Sequence, residues 1–239
     1  MTSTLSCFPV LEYVKFETMR LLNTMLLTLQ EFFGSDIHGY AILSHRWEDE
    51  EVTLQDLQQG RGPRMRGYSK INGCCNQART DGWKWAWIDT CCIDKTSSSE
   101  LSESINSMFK WYADAKVCYA YLSDVFTTKD FQSGLSSSKW FTRGWTLQEL
   151  LAPSTVIFCD RDWVDIGTKG SLKRQLSSIT GIHLRDLTKF TNACVARKMS
   201  WASGRETIRP EDTAYCLMGL FGINMLTLYG EGSRAFLRL

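Results

Sequence analysis

Four short apolar runs punctuate the chain: Tyr40-Ala-Ile-Leu-Ser44, Trp85-Ala-Trp-Ile88, Val117-Cys-Tyr-Ala-Tyr-Leu122 and Thr155-Val-Ile-Phe-Cys159. Each has strand length, favours β-branched or aromatic residues, and stops abruptly at polar positions, which predicts four buried strands. Helical patterns lie between them. Ser97 and Glu100 have the spacing of a capping box, and Leu101, Ile105, Met108, Tyr112 and Ala115 then fall on one helix face. A short helix around Trp145–Leu151 is closed by Pro153, and the Ser/Gly-rich stretch 132–138 reads as loop. Between Val52 and Ala78, the run Gly60-Arg-Gly-Pro-Arg-Met-Arg-Gly67 reads as a solvated loop with helical turns on either side.

Strands alternating with helices predict an α/β fold with a mostly parallel sheet flanked by helices. Residues 169–239 are read as a helical C-terminal annex. Short helices are expected between Lys169 and Phe190, and another near Pro210, where Glu211 and Asp212 complement its dipole. Gly230-Glu-Gly232 then breaks the chain. The organisation expected is an N-terminal extension over 1–19, an α/β core over 20–168 and the helical part over 169–239. In a parallel sheet the ligand crevice lies beyond the carboxyl ends of the strands. Those ends carry Ser44-His45-Arg46-Trp47 and Asp89-Thr90, with Asp124 following the third strand.

Composition narrows the function classes. The 239 residues carry 27 Lys+Arg against 26 Asp+Glu, a net charge of +1, which argues against nucleic acid as partner because that affinity comes from neutralised phosphates. With 44% hydrophobic and 22% charged residues the chain is globular rather than disordered. Nine cysteines show neither a CxxC pair nor zinc-ligand spacing, so they read as reduced, mostly structural thiols with no metal site. The N-terminal apolar stretch is interrupted by Glu12, Lys15, Glu17 and Arg20, and the expectation is no signal peptide, no membrane span and a cytoplasmic protein. No Gly-rich phosphate loop of the dinucleotide or Walker type occurs.

Tyr40-Ala-Ile-Leu-Ser-His-Arg-Trp47, Trp87-Ile-Asp-Thr-Cys-Cys-Ile-Asp94 and Arg143-Gly-Trp-Thr-Leu-Gln-Glu149 closely resemble the motifs of the fungal heterokaryon-incompatibility (HET) domain family. Ser200-Trp-Ala-Ser203, Arg209-Pro-Glu-Asp-Thr-Ala-Tyr215 and Leu228-Tyr-Gly-Glu-Gly232 fit the same family in the same order. The resemblance covers about residues 20–239. It implies a role in fungal self/non-self recognition and cell death, with an incompatibility protein as possible partner. Two departures stand out: Arg46-Trp47-Glu48 replaces a small polar residue followed by Trp-Gly, and Leu226 stands where a proline is frequent. Glu48 is expected to add charge beside the crevice.

The HET family is in turn similar to Toll/interleukin-receptor (TIR) domains, which implies a TIR-like, flavodoxin-like sheet, self-assembly on activation, and NAD+ as substrate. Trp145-Thr-Leu-Gln-Glu149 matches the Trp-x-x-x-Glu pattern that carries the catalytic glutamate of NAD-cleaving members, which makes Glu149 the catalytic candidate. The chemistry is consistent with one carboxylate. Nicotinamide leaves as a neutral molecule, so no second acid is needed, and the site must supply negative charge beside a developing oxocarbenium ion. The alternative reading of Glu149 is a helix-surface glutamate paired with a neighbouring cation. Ser44 suits a ribose hydroxyl or phosphate, or merely closes a turn. His45 is a candidate base or an ordinary loop histidine. Arg46 and Arg143 have forked donors suited to pyrophosphate, or are solvated. Asp89 suits ribose hydroxyls, or caps a turn. Trp47 or Trp145 suits stacking on a ring, although Trp145 is also placed for packing. Glu211 and Asp212 form a second carboxylate pair that helix-start charge already explains. Cys74-Cys75 and Cys91-Cys92 are expected to be buried rather than nucleophilic. NAD+ enters as substrate, with no cofactor. The competing readings are a non-enzymatic signalling module and a nucleotide-binding module without turnover.

Overall fold

The computed structural model describes residues 18–127 and 131–239. The N-terminal extension up to residue 17, with Cys7, lies outside the described residues. In chain order the elements begin with β1 (Thr18–Asn23), β2 (Leu29–Phe33), β3 (Ala41–His45), α1 (Leu54–Gln58) and α2 (Tyr68–Thr80). The centre is β4 (Trp85–Trp87), α3 (Asp89–Cys92), α4 (Ser98–Asp114), β5 (Val117–Tyr121), α5 (Phe131–Ser137), α6 (Thr146–Leu151), β6 (Val156–Cys159) and β7 (Asp165–Thr168). Helices complete the chain: α7 (Lys173–Thr180), α8 (Asp186–Lys189), α9 (Val195–Ala202), α10 (Asp212–Tyr215), α11 (Met218–Phe221) and α12 (Arg234–Arg238).

The four strands expected from the apolar runs are β3, β4, β5 and β6, and they pair in parallel in the order β4-β3-β5-β6. Numbered along the chain, this is the 2-1-3-4 order of a doubly wound, flavodoxin-like sheet. The path from β3 to β4 runs one way along the sheet, and the paths from β4 to β5 and β5 to β6 run the other. Right-handed crossovers therefore set α2 on one face and α4 with α6 on the opposite face, where α4 packs on α6. The direction of winding reverses between β3 and β5, and that switch point is where an open α/β sheet leaves a crevice.

Three further strands extend the sheet antiparallel: β1 and β2 beyond β4, and β7 beyond β6. The pattern of apolar runs did not announce them. Arg20 interrupts the buried residues Met19, Leu21 and Leu22 of β1, yet its charge is matched by Glu31 opposite it on β2 and by Glu100. That diversion of Glu100 also halves the predicted capping box. Ser97 Oγ accepts from the Glu100 N–H at 3.3 Å, but the Glu100 carboxylate accepts instead from Arg20 and from the Asp94 N–H. A charged donor outcompetes the neutral N–H that would have closed the box.

The stretch 132–138, expected as loop, is instead mostly helix α5. Leu135 is buried in the core, and the Ser136 and Ser137 hydroxyls donate back to the Ser133 carbonyl, so burial overrides weak helix propensity. In residues 169–239 the described secondary structure is helical, and Leu172, Leu176, Leu187, Trp201, Leu217 and Leu220 join the core of the sheet. Seven cysteines, Cys74, Cys75, Cys91, Cys92, Cys118, Cys159 and Cys216, are buried free thiols, and Cys194 is exposed. Among the described residues no helix is long and apolar enough to cross a membrane.

Candidate functional site

At the carboxyl end of β3 the chain leaves the sheet through Ser44 and His45, both buried. The next polar layer comes from α6. Its six residues are all buried, so Glu149 enters the protein rather than the solvent. Ser44 Oγ donates to Glu149 Oε2 at 2.5 Å and accepts from Trp140 Nε1 at 2.9 Å. Because an indole nitrogen only donates, the single Ser44 proton is left for Glu149. Burial pushes the Glu149 carboxyl up to about 8; the Ser44 bond and the charges of Arg143 and Arg205 oppose the rise, and Asp89 adds to it.

Glu149 lies on a cavity of about 360 Å³, within the size range of small-molecule sites. His45, Trp47, Asp89, Arg143 and Trp145 line it as well, so six of the eight residues anticipated from sequence meet at one cavity. Ser44 stands behind Glu149 through its hydrogen bond. Arg46 is not among the lining residues, and its carbonyl accepts from Lys70 Nζ at 3.0 Å. Glu48 also turns away, correcting the expectation of extra charge in the crevice. Its carboxylate lies 3.2 Å from Lys70 and accepts from the Ser123 hydroxyl, beside a separate depression. Asp124 is a structural acceptor for the Ser138 hydroxyl and the Lys139 N–H.

The apolar stripe of α4 has a double role. Leu101, Ile105, Met108 and Tyr112 form a wall of the cavity, and the Tyr112 hydroxyl is anchored on the Leu43 carbonyl at 2.9 Å. At the mouth, Trp47 Nε1 donates to Asp89 Oδ2 at 2.8 Å. Lys95 Nζ lies 3.6 Å from the Trp47 ring centroid and 3.7 Å from the same carboxylate oxygen. Burial draws the Lys95 ammonium below its ordinary range, and Asp89 opposes this.

The opposite wall comes from the C-terminal part, which sequence reasoning did not connect to the site. Arg143 forms a β-bridge with Glu206, with Gly144 N–H on the Glu206 carbonyl at 2.8 Å and Glu206 N–H on the Thr142 carbonyl at 2.7 Å. Arg205 donates to the Arg143 carbonyl and to Thr146 Oγ1. This seam brings Ile208, Arg209, Asp212 and Tyr229 to the cavity. The Arg209 guanidinium lies 4.4 Å from the Tyr229 ring centroid, and the Tyr229 hydroxyl donates to Asp212 at 2.9 Å. Burial raises the Asp212 carboxyl even though Tyr229 and Trp145 donate to it.

Glu211, the neighbour of Asp212, takes another direction. Its Oε1 accepts the N–H groups of Gly230 and Gly232 at 2.7 and 3.0 Å, tying down the turn that carries Tyr229. The only advance signal for this wall was the Arg209-Pro-Glu-Asp run, whose carboxylates seemed accounted for by a helix start. The cavity lining thus carries three carboxylates, Asp89, Glu149 and Asp212, against the cations Lys95, Arg143 and Arg209. Apolar and aromatic walls separate them, an arrangement suited to a ligand with ring, hydroxyl and phosphate parts. No cysteine lines the cavity, and burial pushes the Cys75 thiol up to about 12, away from nucleophilic use. No group of three or more metal-ligating side chains occurs among the described residues.

No solved structure matches this chain. The family model described as Heterokaryon incompatibility protein (HET) matches residues 40–134, from β3 through α4 and β5 into α5. Vegetative incompatibility protein HET-E-1 of Podospora anserina is 48% identical over 207 residues, which cover 82% of this chain and 15% of that protein. The chain therefore spans a small part of the length of that relative. The match extends past the family-model region in length, and the chain, with its Ser44–Glu149 pair at the switch point of the sheet, belongs to the heterokaryon incompatibility family.

Proposed function

We propose that this chain is a cell-death effector domain in fungal self/non-self recognition, and that its cavity hydrolyses NAD+ at the nicotinamide–ribose bond when copies assemble. The observation that carries the reading is a buried glutamate, Glu149, held by the Ser44 hydroxyl at the switch-point crevice. The likeness of Trp145-Thr-Leu-Gln-Glu149 to the TIR pattern, and the relative named as a vegetative incompatibility protein, support it.

In this reaction the C–N bond breaks and nicotinamide departs with the bonding electrons. Water adds to the ribose carbon, and the products are nicotinamide, ADP-ribose and a proton. Glu149 in its ionised form stabilises the positive ribose, with Ser44 holding it from behind; Asp89 receives hydroxyls, Arg143 and Arg209 receive phosphate oxygens, and Trp47 offers a ring face. The raised pKa of Glu149 fits a charge that appears with the substrate, because a pyridinium beside it favours loss of its proton. Self-assembly as the trigger rests on the TIR likeness.

The test is nicotinamide release from NAD+ by wild type and Glu149→Gln, each as a monomer and as a forced assembly. Release by wild type only, with kcat/KM rising as pH approaches about 8, is the expected result. Silence from a confirmed wild-type assembly overturns the enzyme reading. Saturable NAD+ binding without nicotinamide then indicates a nucleotide-binding module, and no binding indicates a non-enzymatic signalling module.

A further inference from the structure

His45 is the least explained residue of the site. Its side chain is 1% exposed, and neither ring nitrogen has a hydrogen-bond partner among the described residues. A buried polar atom without a partner is destabilising, so two on one ring call for a reason. Each nitrogen faces a carboxylate just beyond bonding distance. Nε2 lies 3.7 Å from Glu51 Oε2, and Nδ1 lies 3.8 Å from Asp89 Oδ1. An imidazole carrying a proton on each nitrogen donates from both, and this ring has one carboxylate for each.

The two carboxylates differ in how firmly they are held. Glu51 is fixed from behind by Lys70, a buried lysine of α2, at 2.5 Å. Burial alone would raise the Glu51 carboxyl, but His45 and Lys70 outweigh it and hold it near 2. Glu51 is therefore an anion held against a helix residue. Asp89, by contrast, sits at the cavity mouth, where its Oδ2 serves both Trp47 and Lys95. Lys70, Glu51, His45, Asp89 and Lys95 form a row from the α2 face to the cavity, with the imidazole between the two carboxylates.

We propose that His45 is a positioning residue: it carries the fixed placement of Glu51 across to Asp89, and so sets the carboxylate and the Trp47 ring that meet the ligand. In catalysis this rests on the reading of the cavity as an NAD+ site, with Asp89 touching the ribose and His45 acting through Asp89. The positioning itself is independent of that reading, because the Trp47 indole reports on Asp89 whatever the ligand.

The experiment follows the indole N–H resonance of Trp47, assigned by its loss in Trp47→Phe, in wild type, Asp89→Asn, His45→Ala and His45→Gln. Thermal melting of each variant confirms folding. The expected result is that His45→Ala displaces the Trp47 resonance in the same direction as Asp89→Asn, and that His45→Gln, which still carries an N–H donor, displaces it less. An unmoved resonance in folded His45→Ala overturns the proposal; should that variant not fold, His45→Phe, which fills the space without an N–H donor, decides against Asp89→Asn by the same criterion.

Where wild type releases nicotinamide, His45→Ala is expected to lower kcat/KM about tenfold to 100-fold. The double variant with Asp89→Asn should be no slower than Asp89→Asn alone, since His45 acts through Asp89. Multiplying effects overturn the catalytic half. Absence of nicotinamide from wild type fails the NAD+ reading instead, while the indole resonance still decides the positioning.

Discussion

At Glu149 burial opposes the charge that the proposed reaction asks the carboxylate to carry. The group has an ordinary value of 4.5 and rises to about 8 in the fold, with burial as the leading cause. Stability should therefore depend on pH with a definite sign. Below about 4.5 the carboxyl is neutral in both folded and unfolded chains. Between 4.5 and 8 the unfolded chain loses the proton first, so this contribution to stability is lost progressively as pH rises through the folded pKa. Glu149→Gln lacks that term. Its stability relative to wild type is expected to climb between pH 5 and pH 8, by an amount on the order of several kcal/mol at roughly 1.4 kcal/mol per pKa unit. Parallel calorimetric scans at the two pH values check this, and a pH-independent difference refutes it. The identity of Glu149 was legible in its motif. Its partner Trp140, which orients the Ser44 proton, was not, because no local pattern links Trp140 to Ser44 across 96 residues.

Elements were legible where one force dominated. The four parallel strands announced themselves because strands buried on both faces must be continuously apolar. The antiparallel margins β1, β2 and β7 carry polar or charged residues that are satisfied only by neighbours, such as Arg20 against Glu31. A complete capping box formed at Thr53 and Asp56 rather than at Ser97 and Glu100, because Arg61 takes only Asp56 Oδ1 and leaves Oδ2 to the Thr53 N–H. The approach to α6 shows how tightly one element can depend on another. A Cβ on Gly144 would meet Thr207 Cγ2 at 2.6 Å and Cys216 Sγ at 3.1 Å. Gly144→Ala is expected to destabilise by about 1–3 kcal/mol through overpacking. Thr207→Ser in the same chain, which removes that methyl and keeps the hydroxyl that donates to the Arg209 carbonyl, should recover part of the loss. Denaturant midpoints of wild type and the two variants measure both effects, and a neutral Gly144→Ala would contradict the close packing of this seam.

At the scale of the whole molecule the cavity is closed by segments far apart in the chain. Trp47, Asp89 and Glu149 come from the α/β core, and Arg209, Asp212 and Tyr229 from the C-terminal part. Glu211 is the latch for that second wall. Its own backbone N–H and those of Gly230 and Gly232 hold its carboxyl below the ordinary carboxylate range. Glu211→Ala is expected to speed amide exchange at Gly230 and Gly232 by at least about tenfold, while amides of β3 keep their protection, because the loss is local. Hydrogen exchange followed by NMR distinguishes this from global loosening, in which both regions would accelerate together.

The amino-acid sequence by itself determined the parallel strands, their alternation with helices and the polar residues at the strand ends, since burial and periodicity are local properties of a chain. It also carried the family motifs. Tertiary structure decided which polar residues face one another. Arg46 and Glu48 stand beside His45 and Trp47 in sequence but turn to the buried Lys70, whereas Arg209 and Asp212 arrive from the far end through the Arg143–Glu206 bridge. The physical reason is that hydrogen bonds and ion pairs act over a few ångströms in space, and only the fold sets those distances.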